Sequence, residues 1–547
     1  MTRRSARPAT DSGWGRRLGS WLLAALLGAA QALALAPQAH GGWQITAMAL
    51  FIMLLASVPG VDRFAVSAAE SASAARSRPT ARPQRGDAWM LAWLFATGWL
   101  AATFWWLFIS LHRYGEMPAA LAGGAVLALA LALALYYALA AWCWWRWRSG
   151  LIARDALLWS MLWLLAELAR AQWFTGFPWG AIGYAQVDGP LVVLAPWVGV
   201  YGVGAVSAFA AAVLGGSVVR LMGSGPRHLA RWPAWLGLVA ALPVLVAPAW
   251  LGPDFTQRTS SLQVALLQGN VPQEQKFDAL HQNEALEWHV QALLKARADL
   301  VVAPETAIAL LPDQLPRGLW AQLEAHFARG QQHALIGRPL GSYDEGYTNS
   351  VSGLGSDRPA YRYDKHHLVP FGEFIPTGFR WFVDWMRMPL GDFTRGPLAP
   401  PSFAVGTERV GPNICYEDLF GEELATRFID PLQAPTLMVN VSNIGWFGDS
   451  IAVAQHLQIS RFRALELQRP MLRATNTGAT AVIDHRGVVR AALPPHQRGV
   501  LEAQVDGRQG VTPFARWAGR WGLWPLWIGA VLLVTLARRP RRAMRLI

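Results

Sequence analysis

Eight apolar segments, each near the length that crosses a lipid bilayer, constrain this chain more than any other feature of its sequence. A transmembrane helix needs about 20 mostly apolar residues to cross the hydrocarbon core. Of the 547 residues, 53% are hydrophobic and only 15% are charged, a composition too apolar for an ordinary soluble protein. Leu18–Ala36 alone resembles a secretory signal peptide, but the apolar segments after it favour a first transmembrane helix. The sequence therefore predicts an α-helical membrane domain with eight transmembrane helices, at Leu18–Ala36, Trp43–Val58, Ala88–Leu111, Ala119–Trp142, Ala156–Ala171, Leu191–Val219, Trp232–Leu251 and Leu523–Leu536.

The arginines indicate how this membrane domain is oriented. They concentrate in residues 1–17, in the connector 59–87, after the fourth and sixth spans, and in the tail after the last span. Cytoplasmic loops carry the excess of positive charge. We therefore predict a protein of the bacterial inner membrane, with both termini in the cytoplasm and the long segment between the seventh and eighth spans in the periplasm. The net charge of +13 reflects this topology, and no basic face of a soluble domain points to a nucleic-acid partner.

The long segment between the last two spans has the pattern of one soluble α/β domain. Strand-like runs alternate with helical patterns, which predicts a layered sheet covered by helices. The predicted strands are Leu262–Leu267, Leu300–Ala303, Ala334–Gly337, Thr348–Leu354, Val410–Ile414, Thr436–Val441 and Ala479–Ile483, and the predicted helices are Leu280–Ala296, Leu319–Ala328, Gly421–Phe428 and Val453–Leu467. The predicted domains are a membrane domain with seven transmembrane helices at 1–251, this extracytoplasmic domain at 252–518, and a last transmembrane helix with a basic cytoplasmic tail at 519–547.

Three segments of the soluble domain carry groups suited to acyl transfer. Glu305 stands at the end of an apolar strand, Lys365 and Glu373 flank a Pro/Gly turn, and Cys415 lies between a strand-like and a helix-like run. A carboxylate can act as general base, an ammonium can stabilise an oxyanion, and a thiol can act as nucleophile. Each residue also has an ordinary interpretation, as a helix cap, a solvated charge, an ion-pair partner and a small buried hydrophobe respectively. Lysine is retained at only three positions of a chain that otherwise uses arginine, which favours amine chemistry there: Lys276, Lys295 and Lys365.

The three segments resemble the Glu–Lys–Cys triad of the nitrilase (carbon-nitrogen hydrolase) superfamily, whose domain is an α-β-β-α sandwich. With the predicted spans, they make the chain similar, almost from end to end, to the bacterial apolipoprotein N-acyltransferase family, a membrane-embedded branch of that superfamily. The motifs that carry this likeness are Thr175–Trp179, Gly183-Tyr184, Gln268–Pro272, Lys365–Phe374, Ile414–Glu417, Trp446–Gly448, Arg463–Glu466 and Thr512–Ala515.

The resemblance implies a role for each candidate residue. Glu305 would be the general base, Lys365 would stabilise the tetrahedral intermediate, and Cys415 would carry the acyl group as a thioester. The residues that support them would be Glu373, Tyr416 and Glu417. A thiol with its ordinary pKa of about 8.5 is mostly protonated at neutral pH, so Cys415 needs a nearby base.

The resemblance also implies the substrates. An acyl chain would leave a membrane phospholipid, usually phosphatidylethanolamine, and pass through the thioester to the α-amine of the diacylglyceryl-cysteine at a lipoprotein N-terminus, the last step of lipoprotein maturation. Neither a metal nor a cofactor is implied. Phe277, where many members have Trp, and Trp446 would bind substrate, and Leu390 and Phe393 would admit acyl chains. Ile444 stands where the family has Asp, which leaves the role of that position open.

Two other functions fit parts of the sequence. A membrane-tethered amidase or nitrilase-type hydrolase would use the same three groups and transfer the acyl group to water. A polytopic transporter with an extracytoplasmic binding domain would make Glu167, inside a predicted span, a candidate relay group. Neither broken-helix pairs nor internal symmetry support the transporter. A lipid-anchored pair of substrates accounts better for a catalytic domain held by eight spans, because confinement to the bilayer surface raises the local concentration of both.

Overall fold

The computed structural model describes residues 12–58, 85–222, 252–276, 278–342, 344–355, 360–378, 380 and 392–538. The first part of the chain is helical. Its helices are α1 (Ser12–Ala32), α2 (Gly41–Ala56), α3 (Arg85–Phe104), α4 (Ala119–Trp147), α5 (Ile152–Gln172) and α6 (Ala195–Met222). They pack around a common core rich in tryptophan, in which Trp99, Trp159 and Trp163 are almost fully buried.

Two glycines allow α1 and α3 to approach closely. A Cβ atom on Gly28 would lie 1.8 Å from the Phe95 carbonyl oxygen, and one on Gly98 would lie 2.2 Å from that of Ala25. Small residues at such crossings let helix backbones come into direct contact, which is how helices associate in a lipid environment. The backbones of the two helices are therefore in direct contact at these two glycines.

Fewer of the described helices are long and apolar enough to cross a membrane than the eight spans that the sequence predicts. Among the described residues, Ala119–Trp147 and Pro190–Met222 are each long and apolar enough to cross a membrane, and the number rises to four if each of two bent helix pairs forms one span. The other helices fall short because α2 has only 16 residues and α5 carries Arg154, Asp155, Glu167 and Arg170. Seven predicted spans overlap helices, whereas Trp232–Leu251 lies outside the described residues. The prediction of eight transmembrane helices is not confirmed.

Two buried charged residues of α5 hold the connector that follows it. The Glu167 Oε1 atom accepts a hydrogen bond from the Ile182 backbone N–H at 2.9 Å. Arg170 donates to the carbonyl oxygens of Phe177 and Trp179 at 2.7 and 2.8 Å. Buried charges of this kind need such partners. Glu167 thus has a structural partner in the connector 172–190, which argues against the relay role that a transporter would require.

The soluble domain contains two six-stranded sheets packed face to face. In the first sheet the strand order is β12-β1-β2-β3-β4-β5, and in the second it is β11-β10-β9-β8-β7-β6. The strands are β1 (Thr256–Gln268), β2 (Leu300–Ala303), β3 (His333–Ser342), β4 (Gly346–Leu354), β5 (Tyr361–Asp364), β6 (Phe403–Val405), β7 (Glu408–Ile414), β8 (Leu437–Ser442), β9 (Met471–Thr475), β10 (Ala481–Ile483), β11 (Val489–Ala492) and β12 (Gly499–Gly510). β1 shows why the sheets stack: Leu262, Val264 and Leu266 point into the core between the sheets, while Ala265 and Leu267 point to the helices outside.

Helices cover both outer faces of this pair of sheets. Over the first sheet lie α7 (Ala279–Lys295) and α8 (Leu319–Ala328). Over the second lie α9 (Gly421–Ala425), α10 (Ile451–Leu467) and α11 (Pro513–Trp521), and the chain then enters α12 (Trp524–Arg538). The predicted α-β-β-α sandwich is confirmed. Its α10 layer shares a hydrophobic core with the membrane helices, whereas the α7 layer has a core of its own on the opposite side.

Helix α10 joins the sandwich to the helical part of the chain. Gln455 Oε1 accepts hydrogen bonds from the indole N–H groups of Trp179 at 2.7 Å and Trp106 at 3.2 Å. Gln458 accepts from the Ala36 backbone N–H at 2.9 Å, and Glu466 accepts from that of Val200 at 2.6 Å. These partners lie in three helix connections and within α6, so the sandwich is fixed to the helical part of the chain at several points along one helix.

Candidate active site

Glu305 lies just beyond the C-terminal end of β2, buried and with both carboxylate oxygens engaged. Its Oε1 atom accepts a hydrogen bond from Asn349 Nδ2 at 2.7 Å, and its Oε2 atom accepts from the Asn443 backbone N–H at 2.7 Å. Gly337 of the neighbouring strand makes room for this turn, because a Cβ atom there would lie 2.2 Å from the Pro304 carbonyl oxygen. The local backbone therefore fixes the direction in which the carboxylate points.

Lys365 directly follows β5 and lies between two carboxylates. Its Nζ atom is 2.8 Å from Glu373 Oε1 and 3.5 Å from Glu305 Oε1, and the side chain is 1% exposed. Burial alone would lower the pKa of Lys365, but the negative charges of Glu373 and Glu305 more than compensate and raise the pKa above its usual value. The group is a permanent ammonium, as oxyanion stabilisation requires.

Asn349, on β4, connects the two carboxylates. Its Nδ2 group donates to Glu305 Oε1 at 2.7 Å and to Glu373 Oε1 at 2.8 Å. Glu373 is held in turn by the Val369 backbone N–H, which donates to its Oε2 atom at 2.8 Å. Glu305, Lys365 and Glu373 thus form one hydrogen-bonded unit with Asn349, a residue that the sequence reasoning missed.

Cys415 stands at the turn between β7 and a short 3₁₀ helix, Cys415–Leu419, in a strained backbone conformation. Its φ angle of 51° lies in the left-handed region that residues with a Cβ rarely adopt. Its carbonyl oxygen accepts from Asn440 Nδ2 and His456 Nε2, each at 3.2 Å. These bonds hold the backbone of the turn in place, and the Cys415 side chain is partly buried.

The electrostatic surroundings of Cys415 determine the state of its thiol. Burial and the negative charge of Glu305 raise the pKa of Cys415 to about 12, while the Lys365 ammonium opposes this shift. The thiol is therefore protonated in the resting protein. Since a thiolate is the nucleophile, the site needs a group that removes the proton during the reaction, and Glu305 is a carboxylate near enough to influence the thiol.

Glu417 ties the lysine turn to the cysteine turn. Its Oε1 atom accepts from the backbone N–H groups of His366 at 2.7 Å and His367 at 3.1 Å. Its Oε2 atom accepts from the Ile414 N–H at 2.6 Å and from the Tyr363 hydroxyl at 2.5 Å. With four donors on one buried carboxylate, Glu417 sets the distance between the two turns and does not itself face a substrate.

Tyr416 connects the Cys415 turn to the helical part of the chain. Its hydroxyl donates to the Gly176 carbonyl oxygen at 3.1 Å, within the connector after α5. Its ring also packs against His367 and Phe420, with centroid distances of 5.7 and 5.3 Å. The residue next to Cys415 is therefore in direct contact with the Thr175–Trp179 segment, one of the motifs that carry the family likeness.

Of the four residues predicted to bind substrate or admit acyl chains, the structure describes two, Trp446 and Phe393. Trp446 is 40% exposed and its ring lies edge-on to Tyr114 of a membrane connector, with centroids 5.6 Å apart. Phe277 and Leu390 lie outside the described residues, and Phe393 packs against Tyr347 at 4.7 Å. Ile444 is buried in the core shared with the membrane helices, where an Asp would need a partner for its charge.

One further residue that we did not predict as part of the site contacts the base. Lys276 is 5% exposed, and its Nζ atom donates to the Glu305 backbone carbonyl oxygen at 2.9 Å. The scarcity of lysine in the sequence was a signal for this position. Asn349 offers no such signal, because its neighbours Thr348 and Ser350 are polar as well.

Comparisons with known proteins agree over both parts of the chain. Residues 27–213 match the family model of the apolipoprotein N-acyltransferase N-terminal domain, and residues 263–513 match that of carbon-nitrogen hydrolases. An apolipoprotein N-acyltransferase of Verminephrobacter eiseniae is 50% identical over 92% of this chain and 93% of its own length. Proteins of the same name from Ralstonia nicotianae and Bordetella bronchiseptica are 43% and 40% identical, covering 95% and 96% of this chain and 93% and 98% of their own lengths.

Proposed function

This chain belongs to the apolipoprotein N-acyltransferase family, and on that premise we propose that it transfers an acyl chain from a membrane phospholipid to the N-terminal diacylglyceryl-cysteine of lipoproteins. The observation that carries the proposal is the hydrogen-bonded unit of Glu305, Asn349, Glu373 and Lys365 beside the Cys415 turn. It offers a base, a permanent ammonium and a thiol within one buried site, which is the set that acyl transfer through a covalent intermediate requires.

In the first half-reaction the Cys415 sulfur attacks the ester carbonyl carbon of the phospholipid. Glu305 accepts the thiol proton as the C–S bond forms, and the Lys365 ammonium stabilises the oxyanion that develops. Collapse of the intermediate breaks the ester C–O bond. The proton then passes from Glu305 to the departing alcohol, a lysophospholipid leaves, and the acyl chain remains on Cys415 as a thioester.

In the second half-reaction the neutral α-amine of the acceptor attacks the thioester carbonyl carbon. Glu305 takes a proton from the amine nitrogen, Lys365 again stabilises the oxyanion, and the C–S bond breaks. The thiolate recovers the proton, so the site returns to its starting state and the product is an amide. The thioester preserves the transfer potential of the acyl group between the two halves.

We propose that the catalytic sandwich spans residues 252–518 and lies in the periplasm. It is joined to a membrane domain of residues 1–251 and to a final transmembrane helix within 519–547. Eight transmembrane helices in the inner membrane, with both termini in the cytoplasm, agree with the distribution of arginine. Both substrates are lipid-anchored, and the hydrogen bonds of α10 and Tyr416 to the helical domain keep Cys415 next to the layer in which those substrates diffuse.

Mass spectrometry of the intact protein tests this proposal. After incubation with phosphatidylethanolamine alone, we expect the mass of one acyl chain on the Cys415 peptide, and no adduct on a Cys415→Ala variant. A diacylglyceryl lipopeptide should clear the adduct and gain its mass. Clearance that is equally fast in buffer alone would identify a hydrolase instead, and the absence of an adduct would refute both functions.

A further inference from the structure

Two buried side chains hold the backbone turn that carries Cys415. The φ angle of Cys415 is 51°, a conformation that a residue with a Cβ atom keeps only where its surroundings impose it. His456 Nε2 and Asn440 Nδ2 each lie 3.2 Å from the Cys415 carbonyl oxygen. The exposed fractions of these two side chains are 1% and 0%. The conformation of the Cys415 turn therefore depends on one donor from α10 and one from β8.

The neighbours of His456 determine which of its ring nitrogen atoms carries the proton. Arg473 Nη2 lies 3.2 Å from His456 Nδ1, and a guanidinium can only donate hydrogen bonds, so Nδ1 is the acceptor. Burial and the positive charge of Arg473 hold the pKa of His456 well below its usual value. The ring is therefore neutral, and its one proton lies on Nε2, the atom that faces the Cys415 carbonyl oxygen.

Arg473 leads these contacts back to the same turn. It lies on β9, is fully buried, and its Nη1 atom donates to Asp418 Oδ2 at 3.2 Å. Asp418 is the fourth residue of the 3₁₀ helix that begins at Cys415. Ser460, on the next turn of α10, donates to Asp418 and accepts from Arg473. His456, Arg473 and Asp418 thus close a hydrogen-bonded ring that holds the Cys415 turn at its first and fourth residues.

This ring bears on the reaction because the same sulfur atom takes part in both half-reactions. The Cys415 sulfur attacks the ester carbonyl in the first and leaves the thioester carbonyl in the second. Reacting atoms have to lie about 3–3.5 Å apart in an aligned geometry, and a displacement of about 1 Å slows a reaction strongly. Since His456 is almost fully buried, it cannot touch either substrate, and its effect on the reaction has to pass through the position of the sulfur.

We propose that His456 is a positioning residue for Cys415 in both half-reactions. Its Nε2–H group holds the Cys415 carbonyl oxygen, so that the turn keeps the conformation from which the sulfur reacts. Arg473 keeps the His456 ring in the tautomer that can donate, and Asp418 keeps Arg473 in place. This assignment rests on the proposed function and gives a role in it to a residue behind the nucleophile.

Two substitutions of His456 separate its contact with the turn from its contact with Arg473. In His456→Gln, the side-chain amide reaches as far as Nε2 does and can donate to the Cys415 carbonyl oxygen. In His456→Asn, the amide reaches only as far as Nδ1, so the contact with Arg473 is kept and the contact with the turn is lost. Intact-mass measurement follows thioester formation from phosphatidylethanolamine and its discharge to a diacylglyceryl lipopeptide.

At saturating substrate, we expect His456→Asn to slow thioester formation and discharge about tenfold each, with unchanged half-saturating concentrations of both substrates. His456→Gln should stay within about threefold of the wild-type rates. Asn440→Ala removes the other donor to the same carbonyl oxygen and should reproduce the losses of His456→Asn. The matched control is His333→Asn, the same exchange at a buried histidine at the start of β3, which should keep both rates.

Thermal unfolding of each variant shows how much of an effect comes from stability. A purely structural role would slow His456→Asn and His456→Gln alike, and that result would overturn the proposal. A loss that saturating substrate restores, or one confined to a single half-reaction, would overturn it as well. If His456→Asn does not fold, Asn440→Ala decides between the same outcomes. A wild-type protein that forms no thioester would refute the proposed function itself, so the two failures are distinguishable.

Discussion

The nucleophilic role proposed for Cys415 contrasts with the protonated resting state of its thiol. Burial and the Glu305 carboxylate raise the pKa of the thiol to about 12, while the Lys365 ammonium and a hydrogen bond with the Ser442 side chain act against them. A protonated thiol is protected from oxidation and from chance electrophiles, because the thiolate is the species that reacts.

The pH dependence of thiol alkylation tests this description. In the wild-type protein, the rate of Cys415 alkylation by iodoacetamide should still be rising at about pH 10, because the thiol titrates above that pH. Glu305→Gln removes a negative charge that raises the pKa, so its alkylation profile should move to lower pH although acyl transfer is lost. Lys365→Met removes the opposing charge and should move the profile to higher pH. Intact-mass measurement follows the reaction, and a Glu305→Gln profile at higher pH than the wild type would contradict the assignment.

Glu417, two residues after Cys415, is expected to stabilise the fold around the Cys415 and Lys365 turns. Glu417→Ala would leave the buried N–H groups of Ile414, His366 and His367 without an acceptor. Each such group costs about 1–3 kcal/mol, so we expect a loss of at least about 3 kcal/mol in the free energy of unfolding. Thermal unfolding of the detergent-solubilised protein measures this loss. Glu502→Ala, at an exposed position on β12, is the control, and equal unfolding temperatures for the two variants would refute the argument.

At the scale of elements, apolar strand patterns predicted the parts of both sheets that lie in the core. Leu300–Ala303 was predicted with the bounds observed, and the runs within β1, β3, β4, β7, β8 and β10 were located. Pro412 interrupts the sequence pattern of β7, because proline has no N–H to donate to a neighbouring strand. The structure explains why it is tolerated: β6 pairs only as far as Phe403 with Val410, so Pro412 needs no partner on that side.

The strands that we missed have patterns that depend on partners elsewhere in the chain. β9 contains Arg473, which is fully buried because it donates to Asp418 Oδ2 at 3.2 Å and to the Ser460 hydroxyl. β12 alternates exposed and half-buried residues and is stabilised by pairing along β1. A local pattern cannot reveal either arrangement. For the same reason the sequence indicated Glu305, Lys365, Glu373 and Cys415 but not Asn349, whose importance comes only from the two carboxylates that it meets.

Helix α10 gives a prediction at this scale. Gln455→Leu keeps the size of the side chain but removes the acceptor shared by the indole N–H groups of Trp106 and Trp179. Two buried donors would lose a partner, so we expect about 2 kcal/mol less stability and slower acyl transfer through displacement of α10. Parallel thermal unfolding and thioester-formation assays check this. Gln322→Leu, at an exposed position on α8, is the matched control, and a Gln455→Leu protein as stable as that control would contradict the prediction.

At the scale of the whole molecule, the proposed orientation can be tested with single cysteines in a protein that lacks Cys143 and Cys415. Glu502→Cys lies at an exposed position of the sandwich, and Ser149→Cys lies at an exposed position of the connector between α4 and α5. In cells whose outer membrane has been made permeable, a maleimide that cannot cross the inner membrane should label Glu502→Cys. It should label Ser149→Cys only after the inner membrane is opened. The opposite pattern would invert the topology that the arginines predict.

Helix α10 touches the nucleophile turn on one side, through His456, and the membrane helices on the other, so 13 of its 17 residues are buried. Any substitution on it has to suit two neighbours at once, which leaves few acceptable exchanges. α7 faces solvent along one side and is freer to change. Among relatives that diverge in sequence, we therefore expect α10 to be the most conserved helix of the sandwich and α7 to vary more.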